Sequence, residues 1–85
     1  MNIEEIKNLL RDISQFEILY IIDNSESHSK HQGVKHSSSS LTHIEVIVLN
    51  HGNLRKLDIH RNIYQKLNTK IRDGLHSIEI KILDA

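Results

Sequence analysis

The sequence predicts an α+β fold in which a helix, two strands, a second helix and a third strand follow one another. Two segments carry apolar residues at helical spacing, and three others carry the apolar runs or the alternation typical of β-strands. The 85 residues fit a single small domain, residues 1–85, with a thin core. Because the chain has no cysteine and only 4% aromatic residues, packing of isoleucine, leucine and valine must supply most of the stability.

The first helix and the first strand are predicted from apolar spacing. Helix one covers residues 3–14, where isoleucine and leucine recur on one helical face. Asn2 can cap this helix, and Glu5 occupies the position of a capping-box acid. The isoleucine-rich run Phe16–Asp23 has the length of a strand and is followed by polar turn residues, so it predicts strand one.

Residues 24–40 are polar and serine-rich. They offer too little apolar surface to offset the entropy lost on ordering, and they predict a long mobile loop. Strand two follows over Thr42–Asn50. Its isoleucine and valine side chains alternate with mixed residues, which predicts one strongly apolar face.

The second helix is predicted from Asp58, as N-cap, to Arg72, with Gly74 as the left-handed residue just beyond it. Its apolar stripe consists of Ile59, Ile63, Tyr64, Leu67 and Ile71. Strand three begins at His76 and alternates as far as Ile82.

The order of the elements predicts the topology of the sheet. Strands one and two pair antiparallel, and a right-handed crossover through the second helix places strand three parallel to strand two. Parallel neighbours begin at the same end of a sheet. We therefore expect His76 and the histidines of the loop 24–40 to converge at one edge of this three-stranded mixed sheet, with His43 close by.

The predicted loop adds three further histidines, His28, His31 and His36. In a chain without cysteine, metal binding would depend on imidazole, and softer ligands would come from a partner. Zinc, copper and iron all accept imidazole. The spacing matches no specific metal motif, so two alternatives stay open: a solvated histidine-rich loop, and a His76 that packs at the rim of the sheet.

Charge patterning leaves two interpretations of the second helix. The formal net charge is zero, which argues against nucleic-acid binding driven by bulk charge. Residues 55–72 nevertheless carry six lysines and arginines against one aspartate, as either a solvated face or a binding surface. The acidic N-terminal segment is unlike a targeting peptide and no apolar run has membrane-span length, so we expect a cytoplasmic protein without membrane contact.

Four short motifs resemble the BolA family in content and in order. They are Asp23–His28, Leu41–Val46, Ile59–Tyr64 and Gly74–Ile78. The resemblance extends over nearly the whole chain, from about residue 3 to about residue 83. It implies a fold similar to class II KH domains and a monothiol glutaredoxin as partner.

The resemblance also implies a function in iron–sulfur cluster trafficking or in iron and redox regulation, including transcription and stress responses. In that family a heterodimer holds a [2Fe–2S] cluster, to which the glutaredoxin gives a cysteine thiolate and glutathione a second thiolate. His76 is implied as the ligand from the last strand and His28 as the loop ligand, with His31 and His36 as alternates. The chain alone is expected to hold no cofactor. Imidazoles in place of two thiolates make the site less negative and raise its potential.

Part of the family's helix signature, Arg-His-Arg before an apolar pair and a tyrosine, is present. His60, Arg61 and Tyr64 match it and are implied to bind the partner, whereas Ile59 replaces the first arginine. The preceding loop also lacks the aromatic residue usual in the family. Packing of His60 at the start of the helix is the alternative interpretation.

A nucleic-acid-binding regulator is the alternative function, with DNA as the partner. Arg55, Lys56, Arg61 and Lys66 would contact phosphates. The sequence lacks the Gly-x-x-Gly loop with which KH modules clamp a nucleic-acid backbone. We do not expect an enzyme or a small-molecule substrate, because the histidines show no recognisable catalytic motif and the core is too small for an enclosed site.

Overall fold

The computed structural model describes residues 2–25 and 41–84. The elements are, in order, α1 (Ile3–Leu10), β1 (Glu17–Asp23), β2 (His43–Asn50), α2 (Lys56–Lys66), α3 (Asn68–Arg72) and β3 (Ser77–Asp84). The strands form one sheet in the order β1-β2-β3, with β1 antiparallel and β3 parallel to the central strand. This α+β architecture confirms the predicted fold and both predicted strand pairings.

Helix α1 has the predicted start but ends early. The Asn2 Oδ1 atom accepts a hydrogen bond from the Glu5 amide at 3.0 Å, and Glu5 Oε1 accepts one from the Asn2 amide at 3.1 Å. This capping box, together with Lys70, lowers the pKa of Glu5. The helix ends at Leu10 rather than at residue 14. Asp12 follows, and a carboxylate is unfavourable at the negative end of the helix dipole.

The second predicted helix is two helices, and its predicted N-cap is wrong. The helix α2 begins at Lys56 with Arg55 as N-cap, and Asp58 lies inside its first turn. There the Asp58 carboxylate accepts hydrogen bonds from the Arg55 guanidinium at 3.0 and 3.2 Å. A break at Leu67 separates α2 from α3. The residues that open α3, Asn68 and Thr69, favour helix starts over helix interiors.

The predicted end of this helical segment is confirmed. Gly74 has a φ of 130°, in the region that favours glycine. Its amide donates to the Ile71 carbonyl at 3.3 Å, and the Leu75 amide donates to the Lys70 carbonyl at 3.0 Å. These two bonds form a Schellman motif, which turns the chain toward β3.

The core lies between the helices and one face of the sheet. Its buried side chains are Ile6, Leu10, Phe16, Leu41, Ile44, Val46, Val48, Ile59, Ile63, Leu67, Leu75 and Ile78. The strand β2 alternates between half-buried and buried positions along its whole length, as predicted. Two members of the predicted stripe are exposed instead of buried: Tyr64 (42%) and Ile71 (38%).

Candidate metal and partner site

The start of β3 is held against the start of β2 by main-chain hydrogen bonds. The Thr42 carbonyl accepts from the amide of His76 at 2.8 Å and from that of Ser77 at 3.1 Å. His76 itself is exposed. The register of β2 with β3 begins at His43 and Ser77, so His76 stands at the end of the sheet that the sequence predicts.

A second histidine lies beside His76. The ring centroids of His43 and His76 are 6.3 Å apart, with the ring planes tilted by 56°. The His43 Nδ1 atom shares a 2.9 Å hydrogen bond with Thr42 Oγ1, which restricts the rotation of that ring. The predicted convergence of His43 and His76 is therefore confirmed.

Ser25 ties β1 to this cluster. Its buried hydroxyl oxygen accepts hydrogen bonds from the amides of Thr42 at 2.9 Å and His43 at 3.2 Å, and it donates to the His43 carbonyl at 3.4 Å. The Ser25 amide donates to Asp23 Oδ1 at 2.9 Å, and the Asn24 amide to the His43 carbonyl at 2.9 Å. Ser25 and Thr42 thus belong to one hydrogen-bonded group, although 16 residues separate them in the sequence.

The predicted loop ligands His28, His31 and His36 lie outside the described residues. The prediction of a mobile loop over 24–40 lies outside them too, apart from Asn24 and Ser25, which are anchored to β2. Within residues 2–25 and 41–84, no three histidine, aspartate or glutamate side chains form a group able to hold a metal ion.

The three predicted partner-binding residues share one exposed face of α2. At about 100° per residue, His60, Arg61 and Tyr64 fall within about 100° of arc. All three are exposed, so the alternative in which His60 packs into the fold is wrong. Leu57, 50% exposed, belongs to the same arc. Leu57 was not among the predicted site residues, although it lies seven residues before Tyr64 and therefore on the same side of the helix, which was the available signal.

One side-chain contact joins this face of α2 to β3, the strand that follows His76. The Tyr64 hydroxyl donates to the Ile78 carbonyl at 3.2 Å, two residues after His76. Tyr64 is thus a half-exposed side chain that joins α2 to the first residues of β3 rather than a core residue. The contact therefore places Tyr64 beside Ile78, two residues along the chain from the exposed His76.

The four residues proposed for nucleic-acid contact are exposed but not aligned. Lys56, Arg61 and Lys66 are spaced by five residues, and each step turns the helix by about 140°. Arg55 is paired with Asp58, and this hydrogen-bonded contact lowers the pKa of Asp58 and raises that of Arg55. The basic residues of α2 therefore surround the helix and do not form one stripe.

Comparison with known proteins identifies the family. The family model described as BolA-like protein matches residues 10–84. The chain belongs to the BolA-like family. No curated protein gives a significant sequence match.

Two solved structures share the fold of this BolA-like chain. BolA1 from Arabidopsis thaliana superposes with a TM-score of 0.69 at 21% identity, over 99% of this chain and 92% of that one. The BolA domain of SufE1 from Arabidopsis thaliana superposes with a TM-score of 0.70 at 20% identity, over 95% of this chain and 88% of that one. Among the helices of the described part of the chain, none is long and apolar enough to cross a membrane.

Proposed function

We propose that this BolA-like chain is an adaptor, not an enzyme, that binds a monothiol glutaredoxin and shares a [2Fe–2S] cluster with it. The observation that carries the proposal is the exposed His76, whose backbone is fixed by the Thr42 carbonyl at 2.8 Å. A ligand on a strand end that is held in place loses little entropy when it binds. The family membership supplies the class of partner.

His76 is the proposed ligand from β3. The second ligand is a histidine of segment 26–40, with His28 first and His31 or His36 as alternates, because Ser25, which precedes this segment, is bonded to Thr42, and the Thr42 carbonyl holds the His76 amide. His43 is the further candidate, since its ring lies next to that of His76. The donor set fits a shared cluster: imidazoles come from this chain, and the thiolates come from glutaredoxin and glutathione.

A bound cluster would supply one-electron redox chemistry and transferable iron and sulfide. The chain's own residues would hold and orient it. Thr42 fixes the backbone at His76 and restrains the His43 ring, and Ser25 fixes Thr42 in turn. Neutral imidazole donors would leave the site less negative than thiolates would. Protonation in mild acid abolishes imidazole ligation, so assembly should weaken there.

The face of α2 formed by Leu57, His60, Arg61 and Tyr64 is the proposed contact for glutaredoxin. It combines two exposed apolar side chains with a cation, and aromatic and arginine side chains are enriched where proteins bind one another. The Tyr64 hydrogen bond to the Ile78 carbonyl keeps this face next to the strand that carries His76.

The experiment is anaerobic assembly of the chain with a monothiol glutaredoxin and glutathione, followed by visible absorption and circular dichroism. The variants are His76→Ala, His28→Ala and His43→Ala. His51→Ala is the matched control, because His51 is exposed and follows β2 at the opposite end of the sheet.

We expect a coloured heterodimer whose dichroism changes in His76→Ala and stays unchanged in His51→Ala. The other two variants identify the second ligand. If the glutaredoxin keeps its own homodimeric cluster and does not bind the chain, the proposal fails. It also fails if His76→Ala and His51→Ala give the same spectrum as the wild type.

DNA binding through Arg55, Lys56, Arg61 and Lys66 is the second candidate, and their exposure supports it. Because these basic residues point in different directions around α2, DNA binding is less favoured than the adaptor function. Fluorescence anisotropy with duplex DNA at two salt concentrations is the test, because phosphate contacts weaken steeply with added salt.

A further inference from the structure

The outer edge of β1 is unusual for an edge strand. Within the described part of the sheet, β1 pairs only with β2, so its other edge is free. Five of its seven residues are apolar, and none is lysine or proline. Exposed edges are normally protected from other strands by lysine, proline or a bulge. Here the protection is one register irregularity between Ile18 and Tyr20.

A groove of about 560 Å³ lies between α1, the segment that leaves α1, and this edge of β1. The consecutive residues 16–21 line it, so side chains of both strand faces, and the backbone between them, border the groove. Its floor is apolar, with Leu10 and Phe16 among the lining side chains. The groove therefore has the features of a site for one more strand.

The charged residues around the groove favour an occupant whose strand carries an acidic residue at its end. Lys7, Arg11 and His51 line it against one acid, Glu17. The Lys7 Nζ atom forms an ion pair with Glu4 Oε2 at 3.7 Å. Within residues 2–25 and 41–84, the side chains of Arg11 and His51 take part in no hydrogen bond or ion pair, and both residues are exposed. The basic side chains lie near the start of β1, at Glu17, away from His76.

We propose that the occupant is β1 of a second copy of this chain. Antiparallel pairing centred on Tyr20 aligns all seven residues and joins two sheets into one of six strands. It places Asp23 of the second copy opposite Glu17, and the basic side chains Lys7, Arg11 and His51 around that end offset the repulsion between the two carboxylates. The two-fold axis repeats this contact. Tyr20 and Ile22, 66% and 40% exposed, gain apolar neighbours across the new strand pair.

The test is sedimentation equilibrium of the full chain over a range of concentrations, in low and high salt. We expect the mass to rise with concentration from 9.9 kDa toward twice that value. Ile22→Lys puts a charge on the edge strand, and Arg11→Glu reverses the charge complementarity. Each should weaken association by about tenfold or more. High salt should weaken the association of the wild type by a smaller factor than either substitution does.

The control is Leu83→Lys, because Leu83 is 46% exposed on the opposite edge strand, β3. It should associate like the wild type. Hydrogen exchange at low and high protein concentration gives a second readout, in which β1 amides gain protection and β3 amides do not. A chain that stays at 9.9 kDa throughout overturns the proposal. So does association that Leu83→Lys abolishes and Ile22→Lys leaves intact.

Discussion

The two ends of the central strand β2 are closed by similar means and serve different purposes. At its start, the buried Ser25 hydroxyl binds the amides of Thr42 and His43. At its end, the buried Asn50 side chain accepts from the Leu54 amide at 3.1 Å and donates to the Leu54 carbonyl at 2.9 Å. Within residues 2–25 and 41–84, Ser25 and Asn50 are the only buried polar residues.

The difference lies in what each polar side chain holds in place. Asn50 closes a turn in which Asn53 has a φ of 57° and in which a Cβ added at Gly52 would lie 3.1 Å from the Gln15 carbonyl oxygen. Ser25 holds the backbone of Thr42 and His43, and the ring of His43 lies beside that of His76. One end of the sheet is therefore closed by a turn, and at the other end the same kind of closure holds two neighbouring histidines.

The largest effect is expected at the structural end. Asn50→Ala leaves the Leu54 amide and carbonyl without their side-chain partner, which should lower the free energy of unfolding by about 2 kcal/mol. Urea unfolding measures this loss. Asn62→Ala is the control: its side chain donates one hydrogen bond to the Asp58 carbonyl from a half-buried position, and about 0.5 kcal/mol is expected. Equal losses in both variants would contradict the account of this turn.

Ser25→Ala should cost less stability, about 1 kcal/mol, and should also disturb the histidines. Loss of the hydroxyl frees the amides of Thr42 and His43, so the imidazole NMR signals of His43 and His76 should shift. Ser14→Ala, at an exposed position, should change neither quantity. Imidazole signals that stay in place in a folded Ser25→Ala protein would show that this serine does not position them.

Tyr64→Phe should have a smaller effect, about 0.5 kcal/mol, because only the hydrogen bond to the half-exposed hydroxyl is lost. If this bond orients the α2 face relative to β3, the free energy of binding to the proposed glutaredoxin partner should change by more than the free energy of unfolding does. Calorimetric titration with the glutaredoxin measures the affinity. Unchanged affinity would limit Tyr64 to a role in folding.

The smallest effect is expected from the exposed Arg55–Asp58 pair. Hydrogen bonding to Arg55 lowers the pKa of Asp58, so its contribution is present above the ordinary aspartate value of 3.8 and is lost as pH falls through the lower folded-state pKa. The difference in melting temperature between wild type and Asp58→Asn should therefore be constant near neutral pH and should shrink in acid. A difference that grows in acid would contradict this.

Much of the fold could be predicted from apolar spacing and from caps, because these signals are local. The box of Asn2 and Glu5 and the turn at Gly74 are confirmed. The errors were at three places: the end of α1, which stops at Leu10 before Asp12; Asp58, where the contact with Arg55 overrides its capping propensity; and Leu67, where the helix breaks. Tyr64 was predicted both in the apolar stripe and among the partner-binding residues, and apolar spacing alone does not show that its hydroxyl reaches the Ile78 carbonyl.

The candidate site was only partly predictable. Strand order and direction are enough to bring His43 and His76 together, because parallel strands begin at one end of a sheet. The roles of Ser25 and Thr42 were not predictable, since they depend on hydrogen bonds across residues far apart in sequence. Exposure of Leu57 likewise depends on which arc of α2 faces the core.

The most direct test of the central claim is to label the histidines of this chain alone with ¹⁵N and to assemble it with unlabelled glutaredoxin and glutathione. In pulsed EPR of the reduced cluster, ¹⁵N couplings can then arise only from histidines of this chain. We expect strong ¹⁵N coupling to the cluster in the wild type and in His51→Ala. In His76→Ala the ¹⁵N coupling should be weaker or the EPR spectrum should change. A reduced cluster in the wild-type heterodimer without ¹⁵N coupling would contradict the assignment of His76 as a ligand.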